Sequence, residues 1–186
     1  LEQPGTFASA VASASEALGG FDTAIITAGL FATQPVLEGD LAFTQRLLTV
    51  NFANTVLLCE HLRGYLLSRG GGTLCVFSSV AGDRGRKPVV LYGASKAGLS
   101  AYLEGLDHKF RASGLKTICV KPGFVRTGMT EGLPEPPFAA DPDQVAAAVI
   151  GAIDKGTPVI YAPPIWALVM LVIRSLPRLV MRKIGF

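Results

Sequence analysis

Tyr92 and Lys96 place a phenol and an ammonium four residues apart, in the run Tyr92, Gly93, Ala94, Ser95, Lys96. On a helix, positions i and i+4 leave from the same face. A positive charge beside a phenol favours the tyrosinate and lowers its pKa. A phenol drawn down from about 10 becomes a proton donor and acceptor near neutral pH. The same spacing also occurs in any helix that carries a solvated lysine. Two other polar groups give it a context. Ser79, thirteen residues before Tyr92, follows a short apolar run at 74–77. Asn51 stands twenty-eight residues before Ser79 among leucines, where its amide needs hydrogen-bond partners.

These groups need elements to hold them, and the chain alternates helix and strand signals. Residues 7–18 are Ala-rich and end at Gly19-Gly20, which predicts a helix. Residues 23–27 form a buried-strand run closed by Ala28-Gly29. A long helix is predicted over 41–68, stopped by three glycines at 70–72. Strand 74–77 runs into Ser78-Ser79, and helix 91–110 carries Tyr92 and Lys96. Strand 117–120 ends at Lys121-Pro122-Gly123. Asp141, Pro142 and Gln144 make a helix start, with Asp as the cap and Gln reaching back. Strand 159–161 and an apolar helix after Pro163-Pro164 complete the order.

Short strand runs, apolar on both sides and separated by helices, predict a parallel sheet covered on both faces. Ligands of such sheets bind at the carboxyl ends of the strands, where Ala28-Gly29, Ser79 and Pro122-Gly123 all fall. Residues 133–142 hold four prolines in ten and read as the one irregular loop, placed where a ligand-gating segment would sit.

Composition narrows the function classes. Of 186 residues, 49% are hydrophobic and 17% charged, which excludes disorder. Seventeen basic against fourteen acidic residues is too even a balance for a nucleic-acid binder. Cys59, Cys75 and Cys119 are odd in number and widely spaced, and with two histidines they offer neither a disulfide framework nor a metal site. A reduced, cytoplasmic setting is the expectation, and no signal peptide is visible. The continuous apolar run at 165–173 is nine residues, against about twenty for a spanning helix.

With Asn51, Ser79, Tyr92 and Lys96 in that order, Thr27-Ala28-Gly29 ending a strand, and Pro122 to Thr127 as P-G-x-x-x-T, the chain resembles the short-chain dehydrogenase/reductase family from about residue 7 to 161. The resemblance implies an α/β fold with a doubly wound, Rossmann-like parallel sheet. It implies an oxidoreductase that interconverts a small-molecule carbonyl and an alcohol with NAD or NADP. In the reductive direction Tyr92 would protonate the carbonyl oxygen, and Ser79 would hydrogen-bond and orient it. Lys96 would lower the Tyr92 pKa and grip the nicotinamide ribose. Asn51 would hold a water linking Lys96 to solvent. Ala28, Gly29, Pro122, Gly123, Val125 and Thr127 would line the cofactor. No metal role is implied. A Ser79/Lys96 hydrolase dyad fits the spacing, but leaves Tyr92 and Asn51 without roles.

Two departures from the family pattern stand out. Thr27 replaces the usual Asn of the strand-ending motif. More seriously, nothing resembles the T-G-x-x-x-G-x-G turn that meets a pyrophosphate at a helix N-terminus. With Leu1 inside what would be the loop before a helix, the expectation is an N-terminally truncated chain lacking its first strands. A natural short chain serving as a cofactor-free binding or interaction module is the alternative.

The division expected is residues 1–162 as an incomplete Rossmann-like domain and 163–186 as an apolar, then basic, helical tail. Trp166, Leu168, Val169, Met170, Leu171, Val172 and Ile173 cover all sides of a helix, and Arg174, Arg178, Arg182 and Lys183 follow. Such a segment covers a pocket mouth, joins a second copy in a homo-oligomer, or lies on a membrane surface, and the basic cluster leans towards the membrane. Its hydrophobicity points to an apolar or lipid-like substrate.

Overall fold

The structure is a computed structural model that describes residues 1–184. Gly185 and Phe186, the end of the expected tail, lie outside the described residues.

Four strands, β1 (Thr23–Ile26), β2 (Gly72–Phe77), β3 (Leu115–Pro122) and β4 (Val159–Ala162), form one sheet in the order β1-β2-β3-β4. Every pairing is parallel, so each link must cross over a face of the sheet. The helices are α1 (Phe7–Leu18), α2 (Gln34–Gly39), α3 (Leu41–Leu48), α4 (Thr55–Ser68), α5 (Val90–Phe110), α6 (Pro142–Lys155), α7 (Ile165–Ser175) and α8 (Arg178–Met181).

Strand alternation sorts the core into two layers. Leu74, Val76 and Cys119 point to the face covered by α4 and α5, where they meet Cys59, Leu62, Leu66, Leu99 and Leu103. Cys75, Ile118 and Val120 point the other way, onto Val145, Val149 and Ala152 of α6. The sheet is therefore covered on both sides, as the doubly wound reading requires. All three cysteines are buried and free. Burial pushes the Cys59 and Cys75 thiols up to about 12.

Most predicted elements appear within a residue or two. The α6 start forms as expected: the Asp141 N–H donates to Gln144 Oε1 at 3.4 Å, and Gly156 ends the helix in the left-handed region. β4 is an edge strand. Two details differ. The predicted 41–68 helix is α3 and α4 joined through a π-helical segment, Thr49–Asn54. The short helix α2 had no sequence signal of its own. Its Gln34 Oε1 accepts from Leu91 N at 3.1 Å and so ties α2 to the start of α5.

α7 packs one side onto the domain, where Met170 and Ile173 meet Val80 beside Tyr161, Trp166 and Val169. Among the described residues, no helix is long and apolar enough to cross a membrane.

Candidate active site

Ser78 and Ser79 leave the end of β2 as neighbours and take separate tasks. Ser78 Oγ donates to the Lys96 carbonyl at 2.9 Å and meets Ser100 Oγ at 2.7 Å, which locks α5 to the sheet. Ser79 caps a one-turn helix, Val80–Gly82, through a bond from Ala81 N at 3.1 Å. This turn sits against the α5 backbone. A Cβ on Gly82 would lie 2.7 Å from Ala97 N, and one on Gly93 would lie 2.8 Å from Ala81 O. Only glycine permits both approaches, and they are what bring Ser79 to Tyr92.

Lys96 is 4% exposed, and its Nζ donates to Phe77 O at 2.9 Å. Burial pulls the ammonium down to about 8. Tyr92 packs edge-on against Phe31, with ring centroids 5.1 Å apart. Burial pushes its phenol above the ordinary value, and hydrogen bonding to Ser79 opposes that rise. The lowering expected from Lys96 is not what this geometry gives. The ammonium is taken by the Phe77 carbonyl and lies 5.8 Å from the Tyr92 ring centre.

Asn51 lies in the π-helical segment and is 1% exposed. Both ends of its amide go to one residue: Leu30 N donates to Oδ1, and Nδ2 donates to Leu30 O, each at 2.7 Å. Asn51 thus clamps the chain that leaves β1. A π-turn inside a longer helix commonly marks a functional position. Gly29 lies beside this clamp, where an added Cβ would be 3.4 Å from Lys96 Nζ and 3.5 Å from Asn51 Oδ1.

One cavity of about 840 Å³ opens over these groups. Of the expected site residues, Gly29, Ser79, Tyr92, Lys96, Pro122, Gly123, Val125 and Thr127 line it. Ala28 and Asn51 are not among its lining residues; Asn51 stands behind Gly29. Among the described residues, Arg86 and Lys96 are the charged groups of the lining, and none is a carboxylate.

The opposite wall was not foreseen residue by residue. Phe138 comes from the proline-rich loop, and Trp166, Val169 and Ile173 come from α7. The Trp166 indole lies on Gly123 so closely that no Cβ could fit between them, and it meets Phe138 edge-on at 6.4 Å. Its Nε1 is buried with no hydrogen-bond partner among the described residues. Phe138 holds a left-handed φ of 67°, uncommon for a large side chain. The loop is stitched back by Arg126, whose guanidinium reaches Glu135 at 2.6 Å and Asp141 at 2.9 Å.

A parallel α/β sheet with polar side chains gathered at its carboxyl edge is the architecture of a Rossmann-type ligand-binding protein. The relatives make that class specific. Residues 1–137 match the short chain dehydrogenase family. An uncharacterized oxidoreductase of Mycobacterium tuberculosis is 36% identical over 175 residues, which span 93% of this chain and 70% of that protein. Another, from Streptomyces coelicolor, is 33% identical and is matched over 90% of this chain and 66% of its own length. A short chain dehydrogenase from Burkholderia cenocepacia, solved in complex with NADP, shares the fold. Its TM-score is 0.80 at 22% identity, over 95% of this chain and 73% of that one. The chain belongs to the short-chain dehydrogenase family, a family of oxidoreductases.

Proposed function

We propose that this chain carries the catalytic half of an NAD(P)-dependent oxidoreductase that interconverts a carbonyl and an alcohol on an apolar substrate. The observation that carries the reading is a phenol, a hydroxyl and a buried ammonium on one wall of a cavity whose remaining lining is largely apolar. The NADP in the Burkholderia cenocepacia structure supports the choice of cofactor class.

The residues present fit the nicotinamide end of such a cofactor. Lys96 has three N–H donors, and Phe77 O takes one. The other two suit a vicinal diol beside Gly29, where the bare Cα leaves room next to Nζ. Pro122, Gly123, Val125 and Thr127 would lie along the same molecule, with Ala28 next to Gly29. When bound, the cofactor supplies or accepts the hydride.

The chain's own groups do the proton work. Ser79 holds the substrate oxygen by a hydrogen bond and orients it toward the phenol. Tyr92 gives its proton to that oxygen in reduction and takes it back in oxidation. Burial keeps the phenol protonated, so the proton to be given is in place, and the hydrogen bond with Ser79 works against the rise that would make it a weaker acid. Lys96 keeps its bond to the Phe77 carbonyl and offers its remaining donors to a bound diol, and its positive charge on the same wall as the phenol supports proton loss in the oxidative direction. Asn51 keeps Leu30 and Gly29 in place behind it. Phe138, Trp166, Val169 and Ile173 exclude water from the reacting carbon and favour an apolar substrate over a polar one.

The test is a titration of this chain with NADPH and NADH, followed by fluorescence, and a turnover assay on a series of aliphatic and aromatic ketones. Binding of either nucleotide and rates that rise with apolar bulk are expected. Absence of nucleotide binding both in this chain and in one extended at its N-terminus by a Gly-rich strand–turn–helix would favour a binding module instead, and preference for short polar ketones would remove the apolar-substrate assignment.

A further inference from the structure

The helix that walls the cavity is apolar on both sides, and only one side is used. Trp166, Met170 and Ile173 recur at a helical spacing and face the domain. On the other side Leu168 is 60% and Leu171 63% exposed, with Val172 and Ile165 beside them. Leu179, on α8 beyond Pro177, is 69% exposed. The backbone there is anchored: Arg84 Nη2 donates to Leu176 O at 2.8 Å, and Lys87 Nζ donates to Arg182 O at 2.6 Å. These contacts hold the α7–α8 corner against the domain with its apolar side turned out.

The charge around this face has one sign. Arg178, Arg182 and Lys183 are exposed, while Arg174, also exposed, interacts with Tyr161 on the domain side. No aspartate or glutamate follows Asp154 in the sequence. We propose that the outer face of α7 and α8 docks onto an anionic lipid surface, with Leu168, Leu171 and Leu179 in the acyl boundary and Arg178, Arg182 and Lys183 among the headgroups.

An apolar helical face edged by arginine and lysine is what an interfacial helix needs, since buried apolar area and attraction to anionic lipid add. A second copy of this chain is the poorer occupant. A two-fold contact centred here would bring the same patch of both copies together. It would then crowd two sets of Arg178, Arg182 and Lys183 with no carboxylate from this segment to pair them. A bilayer surface supplies the missing negative charge and takes up the leucines at once. It would also lie one helix away from the cavity, because the inner side of that helix is the cavity wall.

The test is cosedimentation of the full chain with phosphatidylcholine vesicles, with and without phosphatidylglycerol. Association with the anionic vesicles only, weakened by salt, is expected. The triple variant R178Q/R182Q/K183Q should lose on the order of a hundredfold in association, at about a factor of five per cation. Leu168→Gln with Leu171→Gln should lose at least about tenfold. Leu179→Gln, outside α7, serves if the pair does not fold, and should also weaken association. No association with anionic vesicles, or variants that bind as the parent does, would overturn the proposal. So would a leucine pair that turns a dimer into a monomer and leaves vesicle binding unchanged, because the face would then be a subunit interface. Vesicle association is read without cofactor or substrate, so its failure leaves the redox reading untouched, and the reverse holds as well.

Discussion

On one wall of the cavity, Ser79, Tyr92 and Lys96 stand on elements pinned by buried bonds, those of Ser78 to Lys96 O and of Lys96 Nζ to Phe77 O. On the other, Phe138 and Trp166 stand on a loop and a terminal helix. There the loop is tied by surface ion pairs, and the Trp166 indole N–H has no partner among the described residues. The first wall has little freedom to move, because Gly82 and Gly93 leave no gap between the Ser79 turn and α5. The second can yield at the loop that carries Phe138, since the ion pairs of Arg126 are exposed and of small worth. Reaction chemistry needs groups fixed to a fraction of an ångström, whereas selection among apolar substrates needs only a surface of the right size. The two walls divide the labour in that sense.

The sharpest way to break the contrast is Tyr92→Phe. It removes one hydroxyl from the fixed wall and leaves the ring against Phe31. Turnover should fall by roughly 10²–10⁴-fold, with nucleotide affinity and melting temperature nearly unchanged. A fall of less than tenfold in single-turnover rate would remove Tyr92 from the proton step.

Lys96→Met ranks second. It should weaken nucleotide binding by about ten- to a hundredfold as well as lower the rate, because a charged hydrogen bond is lost. A pH effect accompanies it. The Lys96 pKa is depressed in the folded chain, from 10.5 to about 8. The unfolded chain therefore binds more protons between those values, and the folded state gains stability as pH rises through that window. Below about 8 the cost of burying the charge is present in full. Thermal melts of the parent chain should show this rise and those of Lys96→Met should not. Nucleotide affinity of the parent should decline above about pH 8 as the ammonium is lost.

Trp166→Ala probes the yielding wall and should be milder. It opens space beside Gly123 and Phe138, so KM for a bulky apolar ketone should rise roughly tenfold while that for a small ketone changes little. An equal loss in kcat for both would show that Trp166 belongs to the fixed wall after all.

Much of the fixed wall was legible in the sequence because its signals are local. Tyr92 and Lys96 share a face by helical spacing, Ser79 follows a short apolar run, and Asp141 with Gln144 marks a helix start. The sheet was legible for the same reason, through short apolar strands set off by glycine and proline. The yielding wall was not. Trp166 is forty-three residues from Gly123, and only the return of the chain from β4 over the carboxyl edge brings them together. Arg86 gave no signal, since nothing around it in sequence suggests a cavity. The tail is apolar on all sides of its helix in sequence, and that pattern does not say which side meets the protein. The pKa order at Tyr92 was also out of reach, because desolvation depends on what closes over the phenol.

The π-helical segment at Thr49–Asn54 has a consequence for how the long helix keeps phase. From Leu47 to the buried Leu66 is nineteen residues, which is not a whole number of turns at 3.6 residues each. Subtract the one residue that a π-turn absorbs and eighteen remain, which is five turns. The same subtraction brings Cys59 and Leu62 into line with Leu47, at close to three and four turns. The hydrophobic stripe on either side of the segment therefore belongs to a straight helix with one residue fewer. The surplus residue does nothing for the core. It swells the helix where Asn51 must face Leu30, and the stripe resumes beyond it as though the helix had never been interrupted.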